Sequence, residues 1–138
     1  MFGFIIFYSY LCKLTKTKYM LHSNFEDPSI VELAEKDYPE TTAEYKRIMY
    51  EQYELFCRKQ SNYGPGNISV GTECRSDADV KLSLTGLWFR INDKINRLKQ
   101  MIIIGAQDNV GESLTDTYQD LSVYGIIAQI VQNKKWGK

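Results

Sequence analysis

The segment ESLTDTYQDLSVYGIIAQIVQ, residues 112–132, decides the predicted fold, because its acidic and apolar residues recur at helical spacing. Glu112, Asp116 and Asp120 follow one another at intervals of four residues and would share one face of a helix. The same face continues as an apolar stripe that should enter a core: Val123, Tyr124, Ile127, Ile130 and Val131. Buried unpaired carboxylates are very costly, so the pattern predicts a neutralising partner, for which a hard divalent cation is the natural candidate.

An alternative places these acids in a solvated first helical turn, where carboxylates favour the positive end of the helix. This alternative explains Glu112 well and Asp116 partly. It fails for Asp120, which would lie two turns into the helix beside Leu121 and Tyr124. The core-facing placement therefore favours a functional site.

Two helices are predicted in the first half of the chain. A short one spans about 28–38, because an Asp-Pro pair suits a helix start and Pro39 would end it. A longer one spans about 42–60, with Thr41 or Thr42 as its N-cap. Its apolar stripe comprises Tyr45, Ile48, Met49, Tyr53, Phe56 and Cys57.

A third helix is predicted after a loop at 61–75 that contains several Gly residues and a Pro. Ser76 and Asp79 resemble a capping box, with Asp in place of the usual Glu. The helix extends to about Ile103, and Gly105 closes it. Its stripe comprises Val80, Leu84, Leu87, Trp88, Ile91, Ile95, Leu98 and Ile102.

These elements predict an all-α fold, a bundle of three main helices plus a short N-terminal helix, with no convincing strand. Residues 27–138 form the predicted domain, and residues 1–26 a poorly patterned N-terminal extension. Three helices with this many apolar positions often leave one face uncovered, so we expect self-association to complete the bundle.

The first eleven residues, MFGFIIFYSYL, are strongly apolar. This run is too short to span a bilayer, and it lacks the basic region and cleavage site of a signal peptide. The simplest interpretation is that Met20 is the real initiator, and a peripheral membrane anchor is the alternative. We expect a cytoplasmic protein.

Composition argues against several kinds of function. The 17 basic residues equal the 17 acidic ones, whereas a protein that binds a nucleic-acid polymer needs a basic excess. The three cysteines are widely spaced and form no Cys-x-x-Cys motif, which argues against a disulfide framework or a zinc site. A single histidine, His22, argues against a Ser-His or Cys-His pair. Chemistry would therefore rest on carboxylates, Lys, Arg and a bound metal.

Glu51 and Glu54 form an E-x-x-E pair on the second helix. Two carboxylates three residues apart can hold one cation between them, and with the acidic ladder they would form a two-helix metal site. The alternative is an exposed salt-bridged face, in which Glu54 pairs with Arg58. The residues alone leave both interpretations open.

Basic residues lie beside the stripe of the third helix, where Arg90, Lys94 and Arg97 could bind a phosphate. The alternative is pairing with Asp93 and with acids on a neighbouring helix.

Lys59, Asn62 and Tyr63 could bind a nucleotide, with Tyr63 stacked on the base and Asn62 or Asn67 bonded to its edge. The alternative for this segment is a helix end and a turn. No Walker A or G-x-G-x-x-G pattern is present, which excludes a P-loop or Rossmann site.

An E-x-x-E helix followed by an acidic ladder ending in D-L-x-x-Y resembles the all-α nucleoside triphosphate pyrophosphohydrolases. That superfamily includes MazG-like proteins, dimeric dUTPases and phage dCTPases. The nearer resemblance is to its phage and bacterial branch, described as nucleotide modification associated, and it covers about residues 44–138. The segments that carry it are KQSNYGPGNI (59–68), GLWFRINDKINRL (86–98) and ESLTDTYQDLSVYGIIA (112–128).

The resemblance implies Mg²⁺, with Mn²⁺ as a substitute, held by acids from two antiparallel helices. Glu51, Glu54 and Asp120 match the residues that bind the metal and act in catalysis. Thr117 stands where the superfamily usually has the Glu of an E-x-x-D pair, so Glu112 or Asp116 would replace that ligand.

The implied reaction splits a (deoxy)nucleoside triphosphate into the monophosphate and pyrophosphate, in phage nucleotide metabolism or base modification. Arg90, Lys94 and Arg97 would stabilise charge on the phosphate oxygens. The resemblance also implies a homodimer or homotetramer. Two alternatives remain, a non-catalytic nucleotide-binding module of a DNA-modification pathway and a purely structural helical dimer.

Overall fold

The computed structural model describes residues 28–138 of the chain. Over that range it contains five α-helices, a π-helix and no strand, which confirms the all-α prediction. The predicted extension, residues 1–26, lies outside the described residues. No helix within 28–138 combines the length and the apolar character that crossing a bilayer requires. The helices are α1 (Pro28–Asp37), α2 (Pro39–Tyr63), α3 (Gly66–Ser69), α4 (Asp77–Leu98), π1 (Lys99–Ile104) and α5 (Leu114–Gln132).

Helix α2 is longer at both ends than predicted. The prediction that Thr41 or Thr42 caps it was wrong, because Pro39 occupies its first position and the Thr42 hydroxyl donates to the carbonyl of Tyr38, the residue before the helix, at 3.0 Å. At the other end Gly64 ends the helix with φ +64°, a conformation that favours glycine. The predicted loop at 61–75 therefore begins three residues late and contains the short helix α3.

The start and the end of the third predicted helix are confirmed. The Ser76 side chain accepts a hydrogen bond from the Asp79 backbone N–H at 3.1 Å, and the Asp79 carboxylate accepts one from the Ser76 N–H at 3.3 Å. Hydrogen bonds of the Ser76 side chain and backbone lower the pKa of Asp79. The helix then continues as π1, and Gly105, with φ +73°, closes it.

The start of α5 differs from the prediction. Ser113 is the N-cap, and its side chain accepts a hydrogen bond from the Asp116 backbone N–H at 3.0 Å. The Asp116 carboxylate completes the capping box on the Ser113 N–H, at 3.3 Å. Gly111, with φ +73°, turns the chain before this cap. The prediction that Glu112, Asp116 and Asp120 share one core-facing helical face was therefore wrong: Glu112 precedes the helix, and Asp116 is exposed and caps it.

Contacts divide the chain into two compact units, one ending at Ala43 and the other spanning Glu44–Lys138. In the second unit α4 packs against α5 and α3. The prediction that Trp88, Ile95 and Ile102 belong to the core stripe of the third helix was wrong, because their exposed fractions are 55%, 50% and 50%. The core of the described chain comprises Ile68, Cys74, Leu87, Ile127, Val131 and Trp136, and Phe56 of α2 packs against it.

Candidate functional site

Lys94 is the neutralising partner of the acids around α5. It lies on the inner side of α4, and its ammonium nitrogen is 2.6 Å from Glu112 Oε1 and 2.9 Å from Asp120 Oδ2. Its side chain is only 20% exposed. Hydrogen bonds to Glu112 and then to Asp120 raise the pKa of Lys94 well above its usual range, so it stays charged. Two of the three carboxylates that required a cation on sequence grounds, Glu112 and Asp120, therefore share a lysine.

Arg97, one turn further along α4, fixes the chain before α5. Its Nε donates to the Thr117 hydroxyl at 3.0 Å, and its Nη2 donates to the backbone carbonyl of Glu112. Asp108 lies 3.6 Å from the same guanidinium. Thr117 is fully buried, so its hydroxyl is an inward-facing anchor for Arg97. The alternative interpretation of this basic row, pairing with acids on a neighbouring helix, is confirmed for Lys94, which contacts Asp120 of α5. The acids that Arg97 contacts, Asp108 and Glu112, precede that helix.

Glu51 and Glu54 have basic partners on their own helix. Glu51 accepts from Arg47 at 2.5 Å, and Glu54 accepts from Arg58 at the same distance, as the salt-bridge alternative predicted. Both glutamate side chains are about half exposed. Hydrogen bonds of this kind satisfy surface carboxylates but add little stability.

Helices α2 and α5 meet through a few side-chain contacts, and the side of α2 that makes them is not the side that carries Glu51 and Glu54. Gln52 accepts a hydrogen bond from Ser122 at 2.8 Å, and Lys59 lies 3.9 Å from Asp120. The side of α2 that faces α5 is set by Phe56, because its apolar side chain packs against the core. Glu51 and Glu54 lie on other sides of α2, where each pairs with an arginine of the same helix. The structure therefore does not bring them together with Asp120.

A cleft of about 190 Å³ opens where α2, α3, α5 and the C-terminal tail meet, and we call it the α2–α5 cleft. Four residues predicted to bind metal or substrate line it: Lys59, Tyr63, Arg90 and Asp120. Asn62, Lys94 and Arg97 are not lining residues. The remaining walls are Gln52, Leu55, Phe56, Gln60, Asn67, Ile68, Gln119, Val123, Tyr124, Ile127 and Trp136.

Two hydrogen bonds hold the walls of the α2–α5 cleft in place. Arg90 donates through Nη2 to the Asn67 carbonyl at 2.9 Å, and the Trp136 indole N–H donates to the Pro65 carbonyl at 2.9 Å. The tail docks closely, because a Cβ on Gly137 would lie 2.9 Å from the Cβ of Pro65. Sequence reasoning missed Trp136, for which the available signal is one large apolar side chain within the polar tail NKKWGK (133–138).

The fit of a divalent cation can be tested on the donor groups. Within residues 28–138 no three His, Cys, Asp or Glu side chains come close enough to one another to hold a metal ion. The Asp116 carboxylate already caps α5, and the carboxylates of Glu112 and Asp120 already form ion pairs with Lys94. As arranged, these residues do not fit the Mg²⁺ or Mn²⁺ that the resemblance implies.

Comparisons with protein-family models, with curated proteins and with solved structures found no match for this chain.

Proposed function

We propose that the α2–α5 cleft binds a (deoxy)nucleotide, and that the chain acts as a non-catalytic nucleotide-binding module of a DNA-modification pathway. The observation that carries the proposal is the make-up of the cleft, in which aromatic rings and two basic side chains line one concave surface. A ligand with a flat apolar part and an anionic part suits such a surface. The setting we propose is the cytoplasm of a phage-infected cell.

The aromatic walls supply the surface for a base. Phe56 and Trp136 meet edge to face with centroids 6.2 Å apart, so Trp136 is held rigidly. Tyr63 is 66% exposed at the end of α2 and has room to move onto a ligand. A cleft of about 190 Å³ is smaller than the roughly 300–1,000 Å³ that encloses a drug-sized ligand. It would enclose the base and leave part of the phosphate chain in solvent.

The basic walls supply the surface for phosphate. Arg90 uses one N–H on the Asn67 carbonyl, and since a guanidinium carries five donors this bond positions Arg90 without exhausting it. Lys59 is about half exposed and lies at 3.9 Å from Asp120, a loose contact from which it can turn to a ligand. Both side chains suit phosphate oxygens.

The second candidate is Mg²⁺-dependent hydrolysis of a (d)NTP to the monophosphate and pyrophosphate. The sequence resemblance favours it. It requires Glu51, Glu54 and Asp120 to leave Arg47, Arg58 and Lys94, which is a rearrangement of three ion pairs. We therefore place it second.

The substitution Asp120→Asn separates the two candidates, because they predict changes of opposite sign. For a binding module, loss of a carboxylate beside the phosphates should tighten nucleotide binding about twofold to fivefold. For the hydrolase, the same change should abolish turnover. Calorimetric titration with each dNTP, and pyrophosphate release with Mg²⁺, measure the two effects in parallel.

Three outcomes of this experiment are decisive. Binding without pyrophosphate release, tightened in the variant, supports the module. Release by the wild type that disappears in the variant supports the hydrolase. If no dNTP or dNMP binds at millimolar concentration, both candidates are wrong, and a structural helical protein is favoured.

We also propose that the protein is a homodimer or homotetramer. Trp88 and Ile95 lie seven residues apart along α4, which is the spacing of a helix-packing seam, yet each is about half exposed. A seam of this kind is covered when a second copy presents the same residues about a twofold axis. The exposed apolar residues in the described chain thus support self-association.

Self-association can be tested on this seam. Sedimentation velocity of the wild type should give a dimer or a tetramer, and the double substitution Trp88→Lys/Ile95→Lys should give a monomer, because two buried charges would oppose pairing. Phe89→Lys is the control, since Phe89 is also exposed, at 65%, but lies about 100° further around α4 than Trp88. A monomeric wild type, or equal disruption by the control, contradicts the proposal.

A further inference from the structure

We propose that the Lys94 ammonium group is the resident counter-cation of Glu112 and Asp120, and that this acidic centre therefore works without a divalent metal. The inference concerns the ion balance of the molecule and does not depend on the ligand of the cleft.

The first argument is geometric. Lys94 contacts carboxylates from two different chain segments, at 2.6 Å before α5 and at 2.9 Å within it. A divalent ion between the same carboxylates would meet the positive charge of this ammonium group. It would also need further oxygen ligands, since Mg²⁺ takes six and Ca²⁺ six to eight. Residues 28–138 offer no third acidic ligand close enough.

The second argument is the local charge balance. The two carboxylates of this centre and the neighbouring Asp108 make three negative charges, and three cations lie within 4 Å of them, so the balance is closed without an added ion. Glu112 and Asp120 contact Lys94, Asp120 also lies 3.9 Å from Lys59, and Asp108 lies 3.6 Å from Arg97. The interactions are partly shielded, because the side chains of Lys94 and Arg97 are 20% and 15% exposed.

The third argument is structural. Arg97 binds the backbone carbonyl of Glu112, and Lys94 binds the carboxylate of the same residue. Helix α4 therefore holds Glu112, which lies just before α5, by both its backbone and its side chain. This attachment fixes the start of α5 and thereby one wall of the α2–α5 cleft. Side-chain cations of α4 therefore make this attachment without an added ion.

The test is the thermal unfolding midpoint measured without nucleotide, in EDTA and then in millimolar Mg²⁺ or Mn²⁺. The wild type should change by less than about 1 °C. Lys94→Met keeps the length of the side chain but removes the charge, and it should unfold about 10 °C lower in EDTA. Mn²⁺ should then raise its midpoint by several degrees, because the two carboxylates are left without a cation. Lys94→Arg, which keeps the charge, should not respond to metal.

Two results would overturn the proposal. One is a wild-type midpoint that rises by more than about 3 °C with Mg²⁺ or Mn²⁺. The other is a Lys94→Met protein that is as stable as the wild type, or that responds to metal no more than the wild type does.

If Lys94→Met does not fold, titration of the wild type with Mn²⁺, followed by electron paramagnetic resonance, tests the proposal instead. Binding below millimolar concentration refutes the proposal, and its absence supports it. These readouts involve no nucleotide, so they stand apart from any failure to bind one.

Discussion

Replacing Trp136 by alanine is expected to lower the free energy of unfolding by about 3–5 kcal/mol. Trp136 is only 4% exposed although it lies in the polar tail 133–138. It packs edge to face on Phe56, and its indole N–H binds the Pro65 carbonyl. Its removal leaves a cavity where α2, α3 and the tail meet and a carbonyl without its donor. Since a domain of this size is stable by about 5–15 kcal/mol, the loss is a large share of the total.

Urea titration followed by circular dichroism measures this effect. The matched control is Trp136→Phe, which keeps an aromatic ring in the site but removes the N–H, and it should cost about 1–2 kcal/mol. The difference between the two variants reports the packing of the ring. A loss below about 1 kcal/mol for Trp136→Ala would show that the tail does not dock on α2 as described.

The features that could be predicted from the sequence are those decided by a few neighbouring residues. Ser76 and Asp79 form the capping box that their spacing indicated, and Gly105 ends the third helix in the left-handed conformation. Ser113 and Asp116 have the same Ser-x-x-Asp spacing, and their cap could also have been recognised. The interpretation of Asp116 as a core-facing ligand overlooked this local signal.

The rotation of α2 could not be predicted from the sequence. Its E-x-x-E pair and its apolar stripe are both compatible with helical spacing, and only contacts with other helices choose which side faces α5. Phe56 packs against the core, so Gln52 and Lys59 face α5 while the two glutamates bind arginines of their own helix. Packing between elements distant in sequence therefore decided the composition of the site.

The identity of the neutralising cation was beyond sequence reasoning for a related reason. The cost of burying carboxylates indicated that Asp120 needs a positive partner, and this part of the prediction matches the structure. Lys94 is 26 residues away along the chain, and its own pattern was compatible with phosphate binding or with ion pairing. Electrostatic reasoning predicted that the partner is positively charged, but only the packing of α4 on α5 shows that it is a lysine.

Reversing the charges of the α2–α5 cleft with Lys59→Glu/Arg90→Glu is expected to weaken nucleotide binding about a hundredfold or more. Each residue supplies a charge-assisted hydrogen bond to phosphate, worth about 1.5–3 kcal/mol, and each substitution also adds a repelling carboxylate beside Asp120. The fold should tolerate the change, because Lys59 is about half exposed and Arg90 is exposed. Calorimetric titration with the dNTP that binds the wild type best measures the loss.

The matched control for this experiment is Arg75→Glu, a charge reversal on a side chain that is 72% exposed, paired with Glu73 and outside the cleft. If attraction to the whole surface drove binding, the control would weaken it at low salt nearly as much, and the loss would vanish at high salt. If the cleft holds the phosphates, the control should change affinity less than about twofold, and the cleft variant should stay weak at every salt concentration because contacts have been lost. An unchanged affinity in Lys59→Glu/Arg90→Glu would place the nucleotide elsewhere on the molecule, since no phosphate could remain beside two added carboxylates without a measurable cost.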